Sequence, residues 1–256
     1  MAFEQTLPPI EQIAEPPDSG GRTPWGYADM AMAIGIVIGA VIIISIPIII
    51  IVGIMDGGEL ADDDEAVGAV DIGVSFVLEG LLLLAAALFT VRKYKLSWAT
   101  LGLRPPTRGG FWFPLPVFFA AITIFGVYAV IVAAAGVDAE GNVPVETFDS
   151  TALIVLMGIL ALALAPFMEE VFFRGFLFGG LRGRWGVLGA AFGSGLLFAL
   201  PHFSGLSSLS LLPVIGIIGM LFAWSYYYTG SLFAPIVAHF LFNLTSFVFG
   251  VLGAAT

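Results

Sequence analysis

Cysteine is absent from this 256-residue chain, and charge is scarce, at 11% of residues. Without thiols, disulfides, thiolate nucleophiles and Cys-based zinc or iron–sulfur sites are all excluded. Soluble domains carry roughly 25% charged residues, so this chain lacks enough polar surface to coat a globule. Lysine is nearly missing, two residues against seven Arg, a compositional bias with no function attached. Histidine is as rare, with only His202 and His239. The alternating ten-residue segments of a membrane barrel are lacking. Residues 1–24 hold one Arg and no apolar core, so they do not read as a signal peptide; residues 1–26 are expected to be a disordered, acidic, Pro-rich tail. The net charge of −10 comes mostly from loops and that tail, and nothing in it suggests a nucleic-acid partner.

What is present is apolar. Hydrophobic residues make up 59% of the chain, and mean hydropathy is +1.03. Apolar runs reach about 20 residues, the helical length that crosses a hydrocarbon core of ~30 Å. The expected fold is therefore all-α, a polytopic transmembrane helix bundle forming one domain over residues 27–256. Spans are placed near residues 27–54, 66–91, 111–135, 151–181, 186–200, 211–228 and 233–253. Splitting or merging at Gly- and Pro-rich places changes this count of seven by one, to eight if a span divides. Pro166 interrupts the fourth span, where its ring removes a backbone bond and kinks the helix.

Acidic loops are expected at 56–65 and 136–150, and a small polar loop at 204–210. The segment 92–108 holds five of nine basic residues, Arg92, Lys93, Lys95, Arg104 and Arg108. With alternating spans, Arg22, Arg182 and Arg184 fall on the same side, which the positive-inside rule makes cytoplasmic. The expected location is a cell membrane, multi-pass, with the N-terminus in the cytoplasm.

The ninth basic residue, Arg174, lies inside the fourth span with Glu169 and Glu170, and these three are the only charges between Thr151 and Leu181. Each ionisable group at membrane depth costs roughly 2.5–3.5 kcal/mol on insertion scales, and the default reading is a functional site with a nearby partner. His202 ends the fifth span, and His239-x-x-x-Asn243 lies on the seventh. At ~1.5 Å per residue from the cytoplasmic ends, these groups sit roughly 12–24 Å deep, consistent with one layer of the bundle.

Spacing suggests roles. Glu170 and Arg174, four apart, share a face and pair, and the pair reads as a structural brace. Glu169 is turned about 100° away, and a carboxylate without that cation suits a general base. His239 and Asn243 project together as donors for a developing oxyanion, with His202 opposite to hold a water or relay a proton. Glu79, in the middle of the second span and apart from these clusters, reads as a packing or water-contacting residue. Phe167, Phe172, Phe173, Phe176 and Phe178 read as lipid or core filling.

Glu169-Glu170-x-x-x-Arg174, Phe198-x-x-x-His202 and His239-x-x-x-Asn243 resemble, in order and internal spacing, the three motifs of the CAAX protease and bacteriocin-processing (CPBP) family, which includes the type II CAAX prenyl endopeptidases. Leu101-Gly-Leu-Arg104 is also similar to what that family carries before its core, so the likeness covers about residues 95–250. The resemblance implies an intramembrane endopeptidase in which Glu169 and His202 activate water, His239 and Asn243 support the oxyanion, and Glu170 and Arg174 brace the site. The substrate implied is a membrane-associated or prenylated protein or peptide within the lipid bilayer. The expected mechanism is a glutamate one without cofactor. Zinc on Glu169, His202 and His239 is the alternative, since zinc accepts one carboxylate and two imidazoles, although no H-E-x-x-H is present. Two other functions compete. A proton-coupled carrier is disfavoured because no internal repeat pairs the two halves. A non-catalytic membrane scaffold or adaptor is disfavoured by the joint presence of acid, imidazoles and amide.

Overall fold

A computed structural model describes residues 22–55, 64–136, 150–203 and 205–254. Most of the expected tail (1–21) and of both acidic loops (56–63 and 137–149) lies outside the described residues. All regular structure in the described residues is helical, as it must be where lipid offers the backbone no hydrogen-bond partner.

The helices are α1 (Tyr27–Met55), α2 (Asp64–Ala87, prolonged by a π turn at Leu88–Arg92), α3 (Pro114–Ala134), α4 (Thr151–Ile159), α5 (Ala165–Glu169), α6 (Gly179–Ala199), α7 (Leu212–Thr229) and α8 (Phe233–Ala254). Among the described residues, six stretches are long and apolar enough to cross a membrane. One of them, Thr151–His202, has 52 residues. At ~1.5 Å per residue it would reach ~78 Å, far beyond a ~30 Å hydrocarbon core. It is broken at Gly186, whose φ of 69° only glycine adopts freely. Divided there, the described residues make seven spans, and the protein is a multi-pass membrane protein. The polar segment expected as a loop at 204–210 contains a 3₁₀ turn, Ser207–Ser210.

The second half of α6 folds back against α7, where glycines let the backbones approach. A Cβ on Gly195 would lie 2.7 Å from the Gly216 carbonyl oxygen, so only glycine fits this membrane helix contact. α3 packs on α8, and α2 packs along α1 and α5. The basic loop is stapled to the α7–α8 turn: Leu232 N–H donates to the Gly102 carbonyl (2.8 Å) and Thr107 N–H to that of Thr229 (2.8 Å). The loop also abuts the centre of the bundle, because Gly175 faces the Leu101 carbonyl with no room for a Cβ between them.

Between α5 and α6 the chain winds as a π-helix, Glu170–Phe178, and all nine residues are buried. Phe172, Phe173, Phe176 and Phe178 are core, while Phe167 is half-buried at its edge. Trp25, fully buried, donates from Nε1 to the Phe176 carbonyl (3.0 Å). A helix covered on every side is the most shielded element of the bundle, and it carries the charged motif.

Candidate active site

Glu170 and Arg174 are completely buried. Arg174 donates from Nη1 to Glu170 Oε1 (2.8 Å) and from Nη2 to the Gly219 carbonyl (3.2 Å). Its guanidinium lies 4.1 Å from the centre of the Phe198 ring and 5.4 Å from that of Phe222. A buried cation is tolerated when a carboxylate, a carbonyl and aromatic faces replace its water. Gly219 permits this approach, since a Cβ there would sit 3.3 Å from Arg174 Nη2.

His239, from α8, donates its Nδ1–H to the same Glu170 Oε1 (3.0 Å). The bond fixes the ring, which lies between Phe222 and Phe198, and turns Nε2 towards Glu169. Nε2 stands 3.8 Å from Glu169 Oε2. That is too long for a direct hydrogen bond and is the kind of gap at which a bridging water is expected. Glu169 Oε2 has no hydrogen-bond partner. Orphaned buried oxygens are rare enough to call for an explanation.

His202 donates Nδ1–H to the Phe198 carbonyl (3.1 Å), leaving its own Nε2 unengaged by that bond. The Phe198 ring lies 5.4 Å from the His202 ring and 5.8 Å from that of His239. One residue of the second motif thus carries Arg174 on its face and sits beside both imidazoles.

Asn243 takes a different partner from His239. Its Nδ2 donates to the Ala161 carbonyl (2.8 Å). The reason is local. Residues Leu160–Leu164 form a π turn in which Ala165 N–H bonds the Leu160 carbonyl, five residues back. The next donor in that register is residue 166, a proline, which has no N–H. The Ala161 carbonyl is thereby orphaned, and Asn243 serves it from the neighbouring helix with one amide hydrogen, keeping the second. Spacing alone suggested that His239 and Asn243 aim at one spot; the structure brings Glu169, Glu170, Arg174 and His239 together and places Asn243 one turn along α8.

Glu79, expected as a packing or water-contacting residue, is 5% exposed on α2, the helix that packs along α5. Counted from Arg92 at ~1.5 Å per residue, it lies ~20 Å in, about level with Glu169. As for metals, no group of three or more His, Cys, Asp or Glu side chains among the described residues is placed to hold an ion.

Residues 151–245 match the family model described as type II CAAX prenyl endopeptidase Rce1-like. No curated protein and no solved structure matches the chain. The matched segment contains all three motifs, the π-helical stretch and both histidines, while α1, α2 and α3 lie outside it. With its buried charges on a helix that lipid cannot reach, that segment is similar to the type II CAAX prenyl endopeptidases that the family model describes, in a chain whose remaining residues lie outside the match.

Proposed function

We propose that the protein is an intramembrane endopeptidase that cuts a membrane-associated protein or peptide by glutamate-activated water. Prenylated chains are the first substrates to consider, because the matched family is described by them. Glu169 is the general base: it takes a proton from water as the water oxygen attacks the scissile carbonyl. His202, through Nε2, holds that water from the other side. His239 Nε2 and the second amide hydrogen of Asn243 are the groups left to face the oxygen of the tetrahedral intermediate, His239 donating in its doubly protonated form. Glu170 and Arg174 orient His239. The proton on Glu169 then passes to the leaving amine, restoring the carboxylate.

The observation that carries this reading is the partnerless Glu169 Oε2, 3.8 Å from the Nε2 of a histidine whose other nitrogen is fixed. Residues Arg92–Arg108, Arg182 and Arg184 support a cytoplasmic reading of their side by the positive-inside rule, and with it cleavage below the cytoplasmic face. The experiment is quantitative proteomics of new C-termini in membranes containing wild-type protein or Glu169→Gln at equal abundance. A set of termini present only with wild type supports the proposal. Indistinguishable sets would remove it.

A further inference from the structure

We propose that Trp25 is a positioning residue of this site, a peg whose indole N–H holds the end of the π-helical stretch and, through it, the Arg174–Glu170–His239 brace. The inference deepens the hydrolytic reading and rests on it. Trp25 precedes α1, far outside the segment that the family model covers.

A tryptophan just before a membrane helix ordinarily lies at the lipid interface, with its ring at the headgroups. Trp25 does not. It is completely buried, and its Nε1–H reaches across 151 residues of sequence to the Phe176 carbonyl, 3.0 Å away. The π-helical stretch leaves room for it. A Cβ on Gly180 would lie 2.8 Å from the indole nitrogen, and one on Gly179 would lie 3.4 Å from Cζ2 of the same ring. The backbone that carries the ring is fastened at its base. Asp29 Oδ2 accepts from Gly26 N–H (3.0 Å) and from the Tyr94 hydroxyl (2.8 Å), while Oδ1 pairs with Lys93. Lys93 and Tyr94 directly follow the π turn that prolongs α2, and α2 packs along α5 and the π-helical stretch. The peg and the helix it holds are therefore tied to the same support.

Phe176 is where that grip acts. Helix hydrogen bonds at the Gly179 end of the stretch return to the carbonyls of Arg174 and Phe176, so the π turns give way to α6 at the junction that Trp25 holds. The backbone of Arg174 belongs to this junction, and its side chain reaches Glu170 and the Gly219 carbonyl together. Glu170 in turn holds His239. π turns are rare and mostly single bulges, whereas this one runs nine residues, and the indole supplies a donor from outside the helix where the register changes. Trp25 touches neither substrate nor reacting atoms. It keeps Arg174, and with it Glu170 and the His239 ring, in the alignment that the chemistry needs.

The test uses the full-length protein in membranes and a synthetic peptide spanning the most abundant wild-type-dependent cleavage site. Trp25 is replaced by benzothienylalanine, which keeps the shape of the ring and puts sulfur where the N–H was. Gly180→Ala, which crowds the indole from the helix side, is the second variant, and Glu169→Gln reports on the mechanism. The isostere and Gly180→Ala are each expected to lose about three- to tenfold in kcat per folded molecule, the worth of a net hydrogen bond, with KM within about twofold of wild type. Because the chain has only two histidines, ¹⁵N-histidine NMR of the purified protein in micelles separates their signals. His239 Nδ1 is expected to shift and His202 to stay. A merely structural loss would lower the folded fraction and leave the His239 signal of the folded protein in place. Wild-type kcat or an unmoved His239 signal in the folded isostere variant, beside an inactive Glu169→Gln, would overturn the role of Trp25 alone. Where the isostere variant does not fold, the same two readings on Gly180→Ala decide. Full activity in Glu169→Gln would instead sink the underlying mechanism.

Discussion

Arg174→Met is the sharpest test of how the buried charges are balanced. The substitution removes the 2.8 Å bond to Glu170, the 3.2 Å bond to the Gly219 carbonyl and the contact with the Phe198 face. Breaking a buried ion pair from one side costs about 3–5 kcal/mol, because the remaining charge stays in a poor solvent. Loss of a desolvated cation–π contact adds up to about 2 kcal/mol. Met fills a similar space, so the cavity contribution is small. Replacing both partners, Glu170→Leu with Arg174→Met, removes the orphaned charge as well, and such exchanges are neutral or stabilising by about 1–4 kcal/mol. The double variant is therefore expected to be at least about 3 kcal/mol more stable than Arg174→Met. Unfolding of the purified protein by SDS in mixed micelles, followed by tryptophan fluorescence, reads the difference; Trp25 reports directly, being bonded to the Phe176 carbonyl in the same helix. Arg174→Met within about 1 kcal/mol of wild type, or a double variant as weak as the single, would refute the reasoning. The double variant also leaves His239 Nδ1 without its acceptor, so it is expected to fold and not to cleave.

Three further outcomes follow from particular contacts. Asn243→Leu leaves the Ala161 carbonyl unpaired and is expected to cost about 1–3 kcal/mol; adding Pro166→Ala supplies the missing N–H and should recover part of that stability in the same unfolding assay. Gly175→Ala places a Cβ 2.8 Å from the Leu101 carbonyl oxygen, so the basic loop must shift, with an expected cost of about 1–3 kcal/mol and faster limited proteolysis between residues 95 and 110. Cleavage is expected to survive ortho-phenanthroline and exhaustive chelation; loss of activity restored by zinc would reassign Nε2 of His202 and His239 as metal ligands.

The architecture was legible because the bilayer leaves so few options. Apolar runs of bilayer length put every span within a few residues of its observed bounds, and the break between the fourth and fifth spans falls at Gly186, where the expected fifth begins. The i, i+4 spacing set Glu170 beside Arg174. What periodicity does not carry is hydrogen-bond register. The π turns at Leu160–Leu164 and Glu170–Phe178 take donors from distant parts of the chain, Asn243 on α8 and Trp25 just before α1, that no local pattern reveals. The same limit applies to the site. Spacing paired His239 with Asn243, but not the bonds that fix each: His239 Nδ1 to Glu170, and one Asn243 amide hydrogen to the carbonyl that Pro166 leaves orphaned. Glu79 looked solitary because α5, along which its helix packs, lies far along the chain.

The most direct measurement is turnover by purified Glu169→Gln and His202→Ala, each shown to be folded, on a peptide that the wild type cleaves. Loss of a positioned general base or of the group that holds its water is expected to lower kcat by about 10²–10⁴-fold, with KM little changed. Normal turnover by either folded variant would contradict the proposal that these two side chains activate the attacking water.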